Sequence, residues 1–375
     1  MGLSYDVVIL GAGIVGAACA LEFVQAGMRV AVIERGVIGG DATAAGMGHI
    51  VVMDDSAAQF ALTRYSQLLW AELAPGMPEN VEYDRCGTLW IARDEEEMRE
   101  VQRKYTYYQS LHVPVEILDS SALAHAEPNL STSLAGALLV PEDAVLYPPA
   151  AALFLIRRAQ QLGAELYLEK TVDRAGQNTV LLHDATVLHT QRIVNATGAS
   201  ANLLTPGQPI RKRKGHLVIT DRYPGFFRHQ MIELGYLKSA HSVTRDSVAF
   251  NLQPRRTGQL LLGSSRQFDI ESTSVDAPIV DAMIERAQQY VPALGTLSAL
   301  RIWTGFRAAT PDKLPLIGPV QQDASMFLAA GHEGLGITTS LATARLLLDQ
   351  FLERTPAIPM EPYLPSRFAM GVAHA

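Results

Sequence analysis

Cysteine is scarce in this chain, and its scarcity excludes two kinds of architecture. Only Cys19 and Cys86 occur among the 375 residues. Two thiols cannot build a disulfide framework or a structural zinc site with four cysteine ligands. The ten histidines show no His-x3-His spacing, so no metal site is predicted. The sequence also lacks a G-x-S-x-G motif, which would have indicated a serine nucleophile.

An excess of positive charge is missing as well. The chain has 31 Lys and Arg residues against 38 Asp and Glu residues, a net charge of −7, so nucleic acid is not expected as its main partner. The start of the chain has no secretory signal pattern. The apolar stretch 7–26 is interrupted by glycines and by Glu22, which disfavours a membrane span. The sequence predicts a cytoplasmic protein without a transmembrane segment.

The length and the order of apolar segments indicate two domains. A single core seldom extends over as many as 375 residues. Apolar runs typical of buried parallel strands lie near both ends, at 7–10 and 326–330, with antiparallel-type segments between them. This order predicts an α/β fold with a discontinuous Rossmann-type domain and an inserted antiparallel β-rich substrate domain. The predicted segments are 1–82, 148–212 and 315–365 for the first domain, and 83–147 and 213–314 for the second.

Hydrophobic periodicity also predicts individual elements. Strands are expected at 7–10, 29–34, 164–168, 191–196, 216–220, 247–252, 259–263 and 326–330. Helices are expected at 17–25, 148–162 and 337–353. The charged stretch 90–130 predicts a surface helix followed by loops.

A glycine-rich turn joins the first predicted strand to the first helix. Gly11 permits a tight turn, Gly13 lets the backbone approach a pyrophosphate, and Gly16 permits close packing of the helix on the strand. The start of the helix offers N–H groups and a positive dipole end to phosphates. Glu34 ends the next strand, where an acidic side chain can bind a ribose hydroxyl. Together these features predict a dinucleotide site.

The glycine motif alone does not separate FAD from NAD. Two further strand-to-loop turns lie far along the chain, at 194–198 and 331–337. A cofactor contacted by turns from both ends of the chain must be long and buried, as FAD is. The helix after the second turn can also stabilise an anionic reduced flavin through its dipole. FAD is therefore predicted, and an NAD-dependent dehydrogenase is the rival.

The motifs together resemble the D-amino-acid oxidase superfamily of FAD enzymes, which includes glycine and sarcosine oxidases. The resemblance covers nearly the whole chain. Its motifs are Gly11–Gly16 with Glu34, Gly39–Met47, Val194–Gly198, Gly305–Arg307, Leu314–Gly318 and Gly331–Ile337. Two stretches, 48–55 and 253–266, most resemble the β subunits of heteromeric proline and D-hydroxyproline dehydrogenases.

The resemblance implies a set of cofactor-binding residues. These are Gly11, Gly13, Ile14, Val15, Gly16, Glu34, Arg35, Ala42, Thr43, Ala45, Gly46, Met47, Val172, Ala196, Thr197, Gly198, His332, Glu333, Gly334, Leu335, Gly336, Ile337 and Thr338. The backbone of Val172 would meet the adenine, and residues 332–338 would surround the isoalloxazine ring. Some relatives attach flavin to a cysteine, but neither cysteine here lies in the corresponding C-terminal region. Non-covalent FAD is therefore expected.

Arg307 falls where members of this superfamily bind the substrate carboxylate. A guanidinium can hold a carboxylate through two hydrogen bonds and so orient the α-carbon, while a structural ion pair is the alternative. Met47 and His49 follow the cofactor loop and are predicted to face the substrate, with plain packing as the alternative for His49. A structural role is likewise the alternative for His332. The basic run 211–214 predicts a solvated face, or else a docking patch for an acidic partner.

The resemblance implies an FAD-dependent dehydrogenase of a cyclic secondary or α-amino acid. D-Hydroxyproline or proline is the best candidate substrate, and the product would be the imine, with hydride transferred to flavin N5. Electrons would pass to a partner subunit with electron-transfer centres or to an acceptor at the inner face of the membrane. One rival is an oxygen-using glycine, sarcosine or D-amino-acid oxidase that produces hydrogen peroxide. The other is a non-catalytic flavin-binding subunit.

Overall fold

The computed structural model describes residues 3–235, 246–268 and 270–368. Its strands are β1 Leu3–Leu10, β2 Val30–Glu34, β3 His49–Ile50, β4 Thr88–Ala92, β5 Glu116–Asp119, β6 Gly136–Val140, β7 Ala144–Val145, β8 Glu165–Leu168, β9 Val172–Gly176, β10 Thr179–Leu182, β11 Val187–Asn195, β12 Arg211–Thr220, β13 Gln230–Glu233, β14 Ser247–Pro254, β15 Leu260–Phe268, β16 Ala299–Ala309, β17 Leu316–Val320 and β18 Asp323–Ala330. Its α-helices are α1 Ile14–Gln25, α2 Asp41–Ala45, α3 Ala57–Leu73, α4 Glu95–Ser110, α5 Ser120–Ala126, α6 Pro148–Gln161, α7 Ala277–Gln288 and α8 Gly336–Phe351.

The first sheet has the central strand order β17-β18-β11-β1-β2-β8. The pairs β18–β11, β11–β1, β1–β2 and β2–β8 are all parallel. Residues 7–10 of β1 are buried on both faces, as expected for a strand covered on either side. Parallel strands end at the same edge of a sheet, so the turns after β1, β11 and β18 converge there.

The second sheet has the order β16-β12-β15-β14-β13-β4-β6-β5. Its neighbours are antiparallel except for β13 and β4, which run parallel, so the sheet is mixed. Helix α7 packs against β14 and β15 through Val280, Met283 and Ala287, which belong to a buried apolar cluster. The α/β fold with a Rossmann-type part and a β-rich part is therefore confirmed.

The predicted strands and helices occur, with shifted ends. Helix α1 begins at Ile14 rather than at residue 17, and β15 continues to Phe268. The expectation of loops after the charged helix α4 is wrong, because β5 and α5 follow it. The side chain of Asp119 caps α5 by accepting a hydrogen bond from the Ala122 N–H at 2.8 Å.

The prediction that the basic run 211–214 forms a solvated face is wrong for its last two residues. These residues begin β12, between β16 and β15, so their side chains point alternately to the two faces of a covered sheet. Arg213 is buried and forms an ion pair with Glu333. Lys214 is also buried, and its ammonium donates to the carbonyl of Ser274. The first residue of the run is exposed.

Within the described ranges, no helix is long and apolar enough to cross a membrane. The same part of the chain contains no group of three or more His, Cys, Asp and Glu side chains placed to hold a metal ion.

Candidate active site

A cavity of about 830 Å³ lies between the converging turns of the first sheet and one face of the second. This volume is typical of sites for cofactors and small molecules. Most of the predicted site residues line it, namely Gly11, Gly13, Ile14, Val15, Glu34, Arg35, Ala42, Thr43, Ala45, Gly46, Met47, His49, Val172, Ala196, Thr197, Gly198, Arg307, His332, Glu333, Gly334, Leu335, Gly336 and Ile337. Residues predicted from distant parts of the sequence thus share one space.

Two predicted residues, Gly16 and Thr338, are not among those that line the cavity, and both support its walls. A Cβ atom added to Gly16 would lie 2.0 Å from the carbonyl oxygen of Gly11, so only glycine allows α1 to approach the turn. The hydroxyl of Thr338 donates to the carbonyl of His49 at 2.7 Å. That bond joins the start of α8 to β3.

The glycine turn brings bare backbone to the cavity. Gly11 has φ +100°, in the region that favours glycine, and an added Cβ would lie 2.9 Å from the Ala196 oxygen. An added Cβ on Gly13 would lie 3.3 Å from Oγ1 of Thr43, which accepts a hydrogen bond from the Ile14 N–H at 3.0 Å. Side chains at these two positions would occupy space beside the backbone. Their absence leaves room for the phosphates of a long cofactor to approach the backbone N–H groups.

Glu34 lies at the opposite side of this turn, at the end of β2. Its Oε2 accepts from the Ala12 N–H at 2.8 Å, and its Oε1 accepts from the Gly36 N–H at 2.7 Å. Each carboxylate oxygen can accept a second hydrogen bond, so ribose hydroxyls can still bind. Val172, predicted to meet the adenine, also lines the cavity.

The loop 331–335 connects β18 to α8 and lines the cavity. The N–H of Glu333 donates to the carbonyl of Ala308 on β16 at 2.8 Å. The Glu333 carboxylate pairs with Arg213 on β12, and both side chains are largely buried. The loop is therefore fastened to the second sheet by a backbone bond and an ion pair. The N-terminal end of α8, which favours negative charge, follows at Gly336.

Two histidines beside the cavity are held in the neutral form. Burial lowers the pKa of His49 to about 4 and that of His332 to about 4. Nε2 of His332 lies 3.0 Å from the hydroxyl of Thr343. Nε2 of His49 has no hydrogen-bond partner among the described residues. Neither imidazole therefore carries a positive charge near pH 7.

Arg307 lies between the second sheet and the loop 331–335. Its Nη1 donates to the carbonyl of Ser265 at 3.0 Å. The guanidinium lies over Gly215, where an added Cβ would be 2.3 Å from Nη1. A Cβ on Gly334 would be 3.7 Å from its Nε. The side chain thus crosses the sheet toward the loop 331–335, which is predicted to surround the flavin. This position suits a group that orients a substrate beside the flavin.

Sequence reasoning missed several residues on the second sheet that line the same cavity. Among them are Arg266, 6% exposed, and Asn251, 8% exposed. The sequence does single out Asn251 as a candidate, since it is a lone amide in the otherwise apolar run 248–252. Arg266 gave no such signal, because its strand was predicted to end at residue 263.

Comparison with known proteins gives the family. The model of the DAO family of FAD dependent oxidoreductases matches residues 6–350. The chain belongs to this family. The predictions of FAD as cofactor and of the superfamily are therefore confirmed, and the NAD-dependent rival is set aside.

Relatives and solved structures align over nearly the whole chain. The hydrogen cyanide synthase subunit HcnC of Pseudomonas aeruginosa is 29% identical, covering 98% of this chain and 97% of that protein. Among solved structures, glycine oxidase from Geobacillus kaustophilus has a TM-score of 0.87 at 26% identity, covering 97% of this chain and 99% of its own. L-Proline dehydrogenase from P. horikoshii has a TM-score of 0.88 at 25% identity, covering 98% and 99%.

Substitution of Gly13 by valine should abolish FAD binding while the fold survives. The new side chain would enter the space beside Thr43 through which a pyrophosphate must approach the backbone. The measurement is the ratio of flavin absorbance to protein absorbance, together with circular dichroism. Gly76→Val, at an exposed glycine away from the cavity, is the control and should keep its flavin. Full FAD content in a folded Gly13→Val protein would contradict the assignment.

Proposed function

We propose that the enzyme oxidises a cyclic secondary or α-amino acid to the imine and is a dehydrogenase of proline or D-hydroxyproline. The narrower similarity of stretches 48–55 and 253–266 to β subunits of such dehydrogenases supports this substrate class. The L-proline dehydrogenase structure, similar over nearly its full length, supports it as well.

The observation that carries the proposal is the position of Arg307. A carboxylate that enters a partly dry cavity must be paired, because its desolvation otherwise opposes binding. Arg307 presents a guanidinium between the sheet and the loop 331–335, and Arg266 lines the same cavity. A guanidinium in this position suits a substrate that carries one carboxylate.

The protein side chains orient the substrate and exclude water. When bound, the flavin supplies the two-electron oxidation by accepting hydride at N5. Loss of that hydride from the α-carbon of a neutral amine leaves a protonated C=N bond, and the imine forms when the nitrogen releases its proton to water. No side-chain base is required when the substrate amine arrives unprotonated, and the neutral state of His49 is compatible with this.

We propose the predicted division of the chain into an FAD-binding domain (1–82, 148–212, 315–365) and a substrate-binding domain (83–147, 213–314). We also propose that FAD is bound non-covalently. No cysteine occurs among the described residues that line the cavity. Cys19 is fully buried in α1, and burial raises the pKa of Cys86 to about 12, so neither thiol is activated for attachment.

Electrons leave, in this proposal, to a partner subunit or a membrane acceptor. The similarity to a protein named as a synthase subunit supports a partner, and the similarity to glycine oxidases supports the oxygen-using alternative. Anaerobic flavin bleaching across proline, hydroxyproline isomers, glycine, sarcosine and D-amino acids tests the substrate class. One peroxide per imine in air would establish the oxidase, and bleaching by no substrate would favour a non-catalytic subunit.

Replacing Arg307 by alanine should lower kcat/KM for amino acids by about 30- to 4000-fold, the effect of removing one partner of a buried charge pair. The FAD spectrum should remain. Arg307→Lys should recover only part of the activity, since an ammonium lacks the two-pronged geometry.

The matched control is Arg301→Ala, an exposed arginine on the same strand β16, which should retain activity. The Arg307→Ala substitution should reduce kcat/KM far less for an analogue with a neutral group in place of the carboxylate than for the amino acid itself. Equal losses for both compounds would make Arg307 structural.

The rate of flavin reduction at low substrate concentration should rise about tenfold per pH unit between about pH 6 and 9. The neutral fraction of an amine with a pKa near 10 rises in this way. His49, with its pKa lowered to about 4, stays neutral throughout, so His49→Asn should keep the slope. Stopped-flow absorbance measures it, and an inflection near pH 6.5 that disappears in His49→Asn would show that His49 acts as a base.

A further inference from the structure

The side chain of Arg307 reaches across strand β12 and contacts the next strand, β15. Its guanidinium lies over Gly215 of β12, where an added Cβ would be 2.3 Å from Nη1 and 2.8 Å from Cζ. Nη1 donates to the carbonyl of Ser265 on β15 at 3.0 Å. The position of the guanidinium therefore depends on bare backbone at Gly215 and on the orientation of the Ser265 carbonyl.

The pairing of β12 with β15 is irregular at this point. The register between the two strands shifts between Lys214 and Val218. Within this stretch the backbone N–H of His216 donates to the side-chain oxygen of Ser265 at 2.9 Å. Regular antiparallel strands exchange backbone N–H and carbonyl groups instead. The side chain of Ser265 thus takes part in joining the two strands where their regular pairing is interrupted.

The imidazole of His216 provides a second hydrogen bond to the same hydroxyl. Its Nδ1 lies 2.9 Å from Oγ of Ser265, and its Nε2 accepts from the N–H of Asp276, the residue before α7, at 3.0 Å. An accepting nitrogen carries no proton, so the proton of the neutral ring is on Nδ1, which donates to Ser265. Burial and the charge of Lys214 lower the pKa of His216, in agreement with a neutral ring.

His216 and Ser265 both lie behind the wall of the cavity. Both are fully buried, whereas Ser264 and Arg266, the two neighbours of Ser265, line the cavity. Successive side chains of a strand point to opposite faces of the sheet, which explains this alternation. Any effect of His216 on a reaction in the cavity must therefore pass through residues that it holds in place.

We propose that His216 and Ser265 are positioning residues for Arg307. The imidazole holds the side chain of Ser265, and the carbonyl of Ser265 holds the guanidinium where it binds the substrate carboxylate. The inference rests on the proposed amino-acid oxidation and adds two residues that act behind its site. Displacement of an orienting group by about 1 Å can cost about 100-fold in rate, so loss of this support should be visible in kcat/KM.

Two amide substitutions separate the two hydrogen bonds of the imidazole. His216→Asn places an amide near the position of Nδ1 and can keep the bond to Ser265, whereas His216→Gln places it near Nε2 and can keep the bond to Asp276. Because each variant loses one bond, both thermal midpoints should fall by a similar few degrees. In anaerobic flavin reduction by the amino acid that bleaches the wild type fastest, His216→Gln should lose about 10- to 100-fold in kcat/KM and His216→Asn at most about 3-fold.

The Arg307→Ala background shows whether the effect passes through the guanidinium. His216→Gln should cause no further loss there, since the group that it positions is gone. In the wild-type background, His216→Gln should affect an analogue with a neutral group in place of the carboxylate far less than the amino acid. Equal losses in the two His216 variants, equal losses on the two compounds, a further loss without Arg307, or no loss in His216→Gln would each overturn the proposal.

Ser265→Ala removes the other partner of the same bond and keeps the imidazole. It should reproduce the loss seen in His216→Gln, and the double variant should lose no more than either single variant, because both act through one contact. This variant decides the question if His216→Gln does not fold. Full activity in a folded Ser265→Ala enzyme would overturn the proposal.

Crystal structures of the FAD-loaded variants without substrate test the geometry independently of activity. The guanidinium of Arg307 should leave the Ser265 carbonyl in His216→Gln and stay there in His216→Asn. An unmoved guanidinium in His216→Gln would overturn the proposal whatever the rates. If no amino acid bleaches the wild-type flavin, the proposed function itself fails, and the crystal structures still decide whether His216 positions Arg307.

Discussion

Parallel pairing of β1, β11 and β18 is the constraint on which the cavity depends. The three strands are far apart in the sequence, yet their pairing places their carboxyl ends at one edge of the first sheet. The turns that follow these strands therefore lie side by side. The close contact of Gly16 with the carbonyl of Gly11 then fixes the direction of α1, so that the start of this helix faces the same edge.

The second sheet carries the arginine side chains that line the cavity. Its cavity-facing positions carry Arg213, Arg266 and Arg307 on three adjacent strands. Arg213 forms the ion pair with Glu333, an acidic residue of the loop that follows the first sheet's strand β18. The cavity is therefore lined by backbone of the glycine turn on the first sheet and by arginine side chains on the second.

The Rossmann-type part could be predicted well because its signals are local. Glycines at 11, 13 and 16, a following helix and an acidic strand end occur together in a dinucleotide-binding turn and seldom elsewhere. The second sheet was predicted less well, because its site residues are set by pairing between distant strands. The basic run 211–214 looked like surface in the sequence, and only the position of β12 between two neighbours shows why Arg213 and Lys214 are buried.

The strand order of the second sheet separates two tasks. The loop 331–335 is fastened at β12 and β16, through Arg213 and the carbonyl of Ala308, whereas Asn251 lies on β14, beyond β15. Substitutions on β14 can therefore reshape the far wall while the attachment of the loop stays intact. In evolutionary terms, this separation lets substitutions accumulate on one wall of the cavity without loss of the two contacts that hold the loop.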